Sequence, residues 1–237
     1  MLKPRKRITK KELKQDKLVT WYFAAAEYLR NNRKVVSGVV TGLVIAAIVA
    51  VAYMNNVRSS NNKAATELSQ VLDAFNGGAY QVAINGDPTH NIRGLKYIVE
   101  NYGGSETGEE AKVYLADCYY YLGDYADAMK YFKDYDGSDK FLQASAYAGV
   151  AEVYAIQKDY SKAAEYYERA AASDSKNFLA PQYLVGAARN YMMIGHNEKA
   201  IALLTRVKKD FPNSEYAGNI DFLMAKAKLQ LSEKQSG

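Results

Sequence analysis

Few residues in this 237-residue chain are of types that do chemistry, and none are spaced to do it together. The single cysteine, Cys118, stands beside Tyr119 in a helix-like stretch, where a small packed side chain is expected rather than a reactive thiol. One cysteine can form neither an intramolecular disulfide nor a cysteine-based zinc site. The two histidines, His90 and His196, lie far apart at expected turns. Nothing near either resembles a ligand pair or a nucleophile, base and orienter set. Glu109 and Glu110 are neighbours at an expected helix start, where carboxylates complement the helix dipole. Gly103-Gly104-Ser105 has no lysine after it and no strand before it, so it is not a phosphate loop. No catalytic, cofactor-binding or metal-ligating set is expected, and the chain is read as a non-enzyme. What remains to it is noncovalent binding.

The charge is segregated. Residues 1–34 hold eleven basic and three acidic side chains, a net +8, within a chain whose total is +5. The other 203 residues therefore carry −3, so the alkaline balance belongs to a tail. A basic tail can bind nucleic acid, but the residues after it point elsewhere. From Val35 to Met54 run twenty residues without a charge, bracketed by Arg33 and Lys34 before and Arg58 after. A helix of that length spans about 30 Å, the thickness of a bilayer's hydrocarbon core. Both the basic region and the apolar run are too long for a cleaved signal peptide, despite the small residues Ala50-Val51-Ala52. A single uncleaved transmembrane helix is expected over 35–54, with the lipid bilayer as a partner and no nucleic acid. The eleven cations on its N-terminal side place that side in the cytoplasm, against only Arg58 and Lys63 in the twenty residues beyond. Residues 55–237 then lie across the membrane, in a bacterium the periplasm.

Two features flank this span. Gly38, Gly42, Ala46 and Ala50 recur every four residues along one helix face. Small side chains let two helices approach closely in lipid, so self-association or docking on another membrane helix is open to this face. Before the span, Thr9 and Glu12 have the spacing of a capping box, and Leu18, Trp21, Tyr22, Ala25, Tyr28 and Leu29 follow at helical spacing. That reads as an amphipathic helix over the basic segment 1–34, lying on the inner membrane surface, with docking on a cytoplasmic partner as the other reading.

The distal part repeats. Ala128, Ala163 and Ala200 each stand nine residues after a tyrosine (Tyr119, Tyr154, Tyr191) and twelve after another alanine (Ala116, Ala151, Ala188). Four residues beyond each comes Phe132, Tyr167 or Leu204, and five before each lies Gly123, Lys158 or Gly195, where a turn is expected. The units are spaced by 35 and then 37 residues. This is the pattern of tandem antiparallel helix pairs: small residues permit close crossing, aromatics fill beside them, and neighbouring pairs stack because one alone cannot cover its apolar face. Gly94 falls 34 residues before Ala128, with Ile98 and Val99 in the following turn, which points to a degenerate leading unit with helices near 62–84 and 91–102 about the turn Asn85-Gly86-Asp87-Pro88 and a break or bend at Gly77-Gly78. Pro212-Asn213-Ser214 precedes a closing helix near 215–232, with Phe222 and Leu223 expected inward.

These residues resemble the tetratricopeptide repeat (TPR). The framework of that family is similar to Ala116–Tyr119–Gly123–Tyr125–Ala128–Phe132, then Ala151–Tyr154–Tyr160–Ala163–Tyr167, then Ala188–Tyr191–Gly195–Ala200–Leu204. Lys158 departs from a glycine, Asn197 from an aromatic, and only Pro212 matches the closing proline. The resemblance implies an all-α fold: an N-terminal amphipathic helix, one transmembrane helix, and a TPR-like α-solenoid of about three clear units with a degenerate leading unit and a C-terminal capping helix. It also implies a concave peptide groove lined by the first helix of each pair. Carried over, the groove positions are Val113, Asp117, Tyr120 and Tyr121, then Ala148, Glu152 and Ile156, then Gln182, Val185, Arg189, Met192 and Met193. Members that grip a chaperone's C-terminal carboxylate use Lys and Asn where this chain has Val113, Asp117, Ala148, Glu152 and Val185, so that clamp is absent.

The expected layout is a cytoplasmic basic segment (1–34), a span (35–54), a membrane-proximal helix and connector (55–90) and a repeat domain (91–237). That layout resembles the single-pass ancillary subunit of the bacterial Sec translocon (the YfgM-like group), which works beside a membrane-anchored periplasmic chaperone. The resemblance implies a non-enzymatic adaptor of the inner membrane, holding protein partners or emerging polypeptides, with Sec translocon subunits or such a chaperone as partners. An accessory structural subunit of a stable membrane complex and an envelope-assembly scaffold are the competing readings.

Overall fold

The computed structural model describes residues 10–173 and 178–236, with side chains from 19 to 233 outside the gap. The chain divides into two compact units, residues 1–56 and 57–237, each treated by itself.

The first unit holds helix α1 (Lys10–Asn31) and the opening part of helix α2 (Arg33–Asn76). From Val35 to Met54 every side chain is exposed except the half-buried Val36, so nothing in this unit covers the apolar run. Beyond the local helix backbone, nothing lies within 4 Å of where a Cβ would stand on Gly38 or Gly42, and Ala46 and Ala50 are exposed as well. In α1, Trp21, Tyr22, Tyr28 and Leu29 are exposed and Ala25 is half-buried. Phe23 is exposed outside that stripe, so the apolar face is broader than expected. Thr9 lies outside the described residues, as do the side chains of Glu12 and Leu18.

The second unit is a stack of helices. The last part of α2 buries Ala64, Leu68 and Val71, and the helix stops at Asn76, before Gly77-Gly78. The expected helix over 62–84 is therefore interrupted, and its remainder is the short α3 (Tyr80–Asn85). The expected turn at 85–88 is larger than a turn. A minimal antiparallel hairpin pairs β1 (Gly86–Asp87) with β2 (Ile92–Arg93) around a 3-10 turn at Pro88–His90. The Asp87 carboxylate holds it, accepting from the Thr89 backbone N–H at 2.9 Å and lying 2.6 Å from Nδ1 of His90. Bonds from the Thr89 hydroxyl, His90 and the Thr89 N–H bring its pKa down to about 2. Helix α4 (Leu95–Tyr102) follows.

Three helix pairs come next: α5 (Glu106–Tyr121) with α6 (Tyr125–Asp134), α7 (Lys140–Ile156) with α8 (Tyr160–Ser173), and α9 (Ala180–Met193) with α10 (Asn197–Asp210). Helix α11 (Ala217–Ser236) closes the stack. All six framework alanines, Ala116, Ala128, Ala151, Ala163, Ala188 and Ala200, have no exposed surface. Buried side chains from α2 to α7 form one cluster and those from α7 to α11 a second, so α7 contributes to both. In the closing helix Ile220, Leu223 and Ala227 face inward, but Phe222 is 67% exposed, contrary to expectation. Neighbouring positions on a helix lie about a quarter-turn apart, and packing selected Leu223.

The turn within each pair is made the same way three times. The N–H of Asp124, Asp159 and His196 each donates to the carbonyl five residues back, on Tyr119, Tyr154 and Tyr191, at 2.9 Å. The residue before each is left-handed: Gly123 at φ 81°, Lys158 at φ 61°, Gly195 at φ 72°. That closure needs positive φ, which costs a side-chain-bearing residue roughly 1–2 kcal/mol. Lys158 thus carries strain that its counterparts avoid. Replacing Lys158 with Gly is expected to stabilise the protein by about 0.5–1 kcal/mol after the larger unfolded-state entropy of glycine is counted. A thermal melt rising by a few degrees is the readout, and no rise would show that the turn is relaxed.

Two further glycines set the spacing between pairs. A Cβ on Gly149 would collide with the ring of Phe132 from the preceding pair. Thirty-seven residues on, one repeat later, a Cβ on Gly186 would stand 3.0–3.1 Å from the ring of Tyr167. The large residue ending one unit thus lies over a glycine in the first helix of the next. Gly149→Ala is expected to cost about 1–3 kcal/mol through overpacking, and Gly186→Ala less, as read by denaturant unfolding.

Candidate functional site

The surface that the repeat resemblance assigns to a ligand is carried by α5, α7 and α9, the first helix of each pair. The structure gathers six of the twelve assigned residues around one concavity of about 170 Å³: Asp117, Tyr120 and Tyr121 from α5, Ala148 and Glu152 from α7, Gln182 from α9. Ser145 and Tyr183 also line it. Sequence reasoning passed over these two. The signal for Ser145 is its place in the series Phe141, Ser145, Ala148, Glu152, Ile156 at steps of four and three along α7.

Three more assigned residues, Arg189, Met192 and Met193, line a second concavity of about 360 Å³ between α9 and α11, with Phe222 and Lys226 opposite. The outward Phe222 belongs to this wall. Two residues do not reach the surface. Val113 and Val185 are 4% and 2% exposed, packed in the core beneath. Both keep helical spacing with assigned neighbours, Val113 four before Asp117 and Val185 four before Arg189, but the core clusters cover them, so they hold the helices together and are closed to a ligand. Ile156 is exposed but lines neither concavity. A further cavity of about 650 Å³ lies toward the second helices α8 and α10, with Glu165, Glu168, Arg169 and Lys199 in its lining.

The first concavity is acidic and aromatic. Asp117 and Glu152 come from different helices, and among the described residues neither is in an ion pair. Burial, with the nearby charge of Glu152, pushes the Asp117 carboxyl up to about 7. Burial also raises Glu152, against the opposing hydrogen bond from Tyr120. The same burial, with Glu152 beside it, pushes the Tyr120 phenol up to about 12. Tyr120 and Tyr121 meet edge to face at 5.6 Å, and Tyr121 stacks on Tyr80 at 4.9 Å. Tyr121 is nonetheless 59% exposed, an aromatic surface open at the rim.

The other reactive types stay apart. Cys118 is fully buried, its thiol pushed up to about 12 by burial and the adjacent Asp117. Glu109 pairs with Lys112 at 2.8 Å, and Lys112 reaches Asp134 at 2.9 Å. That network joins α5 to the end of α6. No group of three or more His, Cys, Asp or Glu is placed to hold a metal among the described residues.

Sequence models of the tetratricopeptide repeat match residues 110–135 and 154–231. Within these two segments the repeats are of tetratricopeptide type. The matches fall on α5 with α6 and on the run from the end of α7 through α8, α9 and α10 into α11; most of α7 lies between them. Among solved structures, a candidate kinesin light chain from Podosopora anserina with nearly identical TPR-like repeats aligns with a TM-score of 0.53 at 14% identity, over 74% of this chain and 90% of that one. A point variant of that protein gives 0.47 at 17% identity over 76% and 89%, too low to carry an argument. At such identity the likeness extends to the fold alone. No curated protein matches. Repeats of this type are scaffolds for protein–protein interaction.

The raised Asp117 makes stability depend on pH in a definite direction. A carboxyl in the unfolded chain titrates near about 3.9, whereas Asp117 folded titrates at about 7. The folded state therefore binds the extra proton between those values, and its stability falls as pH rises through that window. Asp117→Asn should flatten this part of the slope, melting higher than the parent at pH 8 and level with it near pH 4. Parallel melting curves across the range would refute the burial of this carboxylate.

Proposed function

We propose that this protein is a membrane-tethered, non-enzymatic TPR adaptor whose concave face holds protein partners or emerging polypeptides at the outer face of a bacterial inner membrane. The observation that carries the reading is the uncharged run Val35–Met54, left exposed along its length and followed in the chain by a repeat stack with an open concave face. Exposed apolar surface on that scale is costly in water and favourable in lipid. The charge asymmetry supports a cytoplasmic N-terminus and a periplasmic repeat domain. Tethering replaces bulk concentration with a high effective one, so a modest groove affinity suffices for capture. The layout of span and repeats favours a place beside the Sec translocon, with its subunits or a membrane-anchored chaperone as partners.

One observation favours a second reading, an accessory subunit of a stable membrane complex. The Gly38 and Gly42 backbone is uncovered on its helix face, as a packed helix–helix contact requires.

Both readings meet in one set of measurements. With Cys118 buried, a membrane-impermeant thiol reagent applied to intact cells should label Asn213→Cys and spare Lys6→Cys; the reverse pattern would overturn the orientation. Purification in mild detergent should co-isolate translocon or chaperone subunits substoichiometrically. Fixed stoichiometry with another membrane complex, lost on Gly38→Leu with Gly42→Leu, would favour the second reading.

A further inference from the structure

We propose that the concavity between α5, α7 and α9 receives a single cationic side chain, lysine or arginine, of the polypeptide lying in the groove. This rests on the reading that the groove holds polypeptide, and adds what that polypeptide must carry. Asp117 and Glu152 converge on the cavity from two helices, and no cation from the described residues answers them. Two carboxylates held partly out of water repel one another, and a cation entering between them relieves both the repulsion and the missing solvation.

Size and walls narrow the ligand. About 170 Å³ is below the range of cofactor and drug-sized pockets, and suits one side chain. Tyr120, Tyr121 and Tyr183 line the cavity, a surface that can cover the methylene stem of Lys or Arg and attract its charged head. Ser145 and Gln182 add polar groups at the same wall.

The charge extends beyond the cavity. Glu106, Glu110, Asp117 and Tyr121 follow one another on one face of α5. Glu106 and Glu110 line a further hollow of about 300 Å³ with Asp139 and Tyr114. Arg189, the one cation among the assigned groove residues, lines the separate concavity against α11. A basic segment would therefore meet complementary charge along α5 before its anchor reached Asp117 and Glu152. No third His, Cys, Asp or Glu joins the two carboxylates among the described residues, and the tyrosine walls favour an organic cation over a metal ion.

The test uses the full chain in lipid nanodiscs and an array of 11-residue peptides in several host sequences, with the central residue set to Arg, Lys, Met, Gln or Glu. Arg and Lys peptides are expected to bind the parent at least about tenfold better than the matched Met and Gln peptides. In Asp117→Asn with Glu152→Gln that preference should fall below about threefold, and Asp117→Lys should shift preference toward Glu. Thermal melts establish that the variants are folded. Peptides bound with no basic preference, or with one that the variants leave intact, would overturn this inference while leaving the groove reading standing. No peptide bound in any host would overturn both. Free spermidine displacing bound peptide far better than N-acetyl-arginine amide would assign the cavity to a polyamine and overturn the polypeptide side chain.

Discussion

How closely two helices can cross governs the body of this protein. At each pair the crossing is made by alanines with no exposed surface, and between pairs by a glycine beneath the large residue of the preceding unit, Gly149 under Phe132 and Gly186 beside Tyr167. Larger residues at these positions would push the helices apart and open voids that the tyrosines could not fill. Close crossing also fixes the tilt between successive pairs, and hence the curvature of the face formed by α5, α7 and α9. The concavity holding Asp117 and Glu152 is thus a consequence of small residues elsewhere. It exists because its walls cannot separate.

The turns obey the same constraint. Each second helix must return alongside its first, and the closure onto the tyrosine carbonyl five residues back makes it do so. Glycine satisfies that closure at Gly123 and Gly195, whereas Lys158 satisfies it at a cost. That such a residue stands there shows that packing of α7 and α8 outweighs the local backbone preference.

The concave face combines properties in tension. Tyrosines and partly buried carboxylates are costly to keep together without a cation, and stability is given up at neutral pH to keep Asp117 where it is. A surface optimised for stability alone would place an asparagine or an apolar residue there. The separate concavity against α11 is of another kind, with methionines, Phe222 and the cations Arg189 and Lys226. One stack therefore offers two chemically distinct seats along its inner side.

Much of the architecture could be read from spacing. Alanines twelve residues apart, tyrosines nine before the second alanine and a glycine at the turn leave few arrangements other than stacked pairs, because only close-crossing helices need small residues at that period. The uncharged run Val35–Met54 was equally plain in the sequence. Finer assignments required neighbours. Val113 and Val185 were expected on the groove and lie beneath it, Phe222 was expected inside and lies outside, and Ser145 and Tyr183 were missed. Helical spacing alone does not separate these cases: Val113, Val185 and Ser145 all keep the three- and four-residue steps of the groove stripe, and the neighbouring helices decide which of them are covered. The hairpin at 86–93 likewise depended on Asp87 bonding to Thr89 and His90, a local arrangement that propensity does not encode. Sequence alone determined the helix pairs and their order, since those follow from residue size and period. Which side chains look out, and that two carboxylates from separate helices share one cavity, was decided by packing between units, since only the crossing of whole helices brings residues 35 positions apart to the same point.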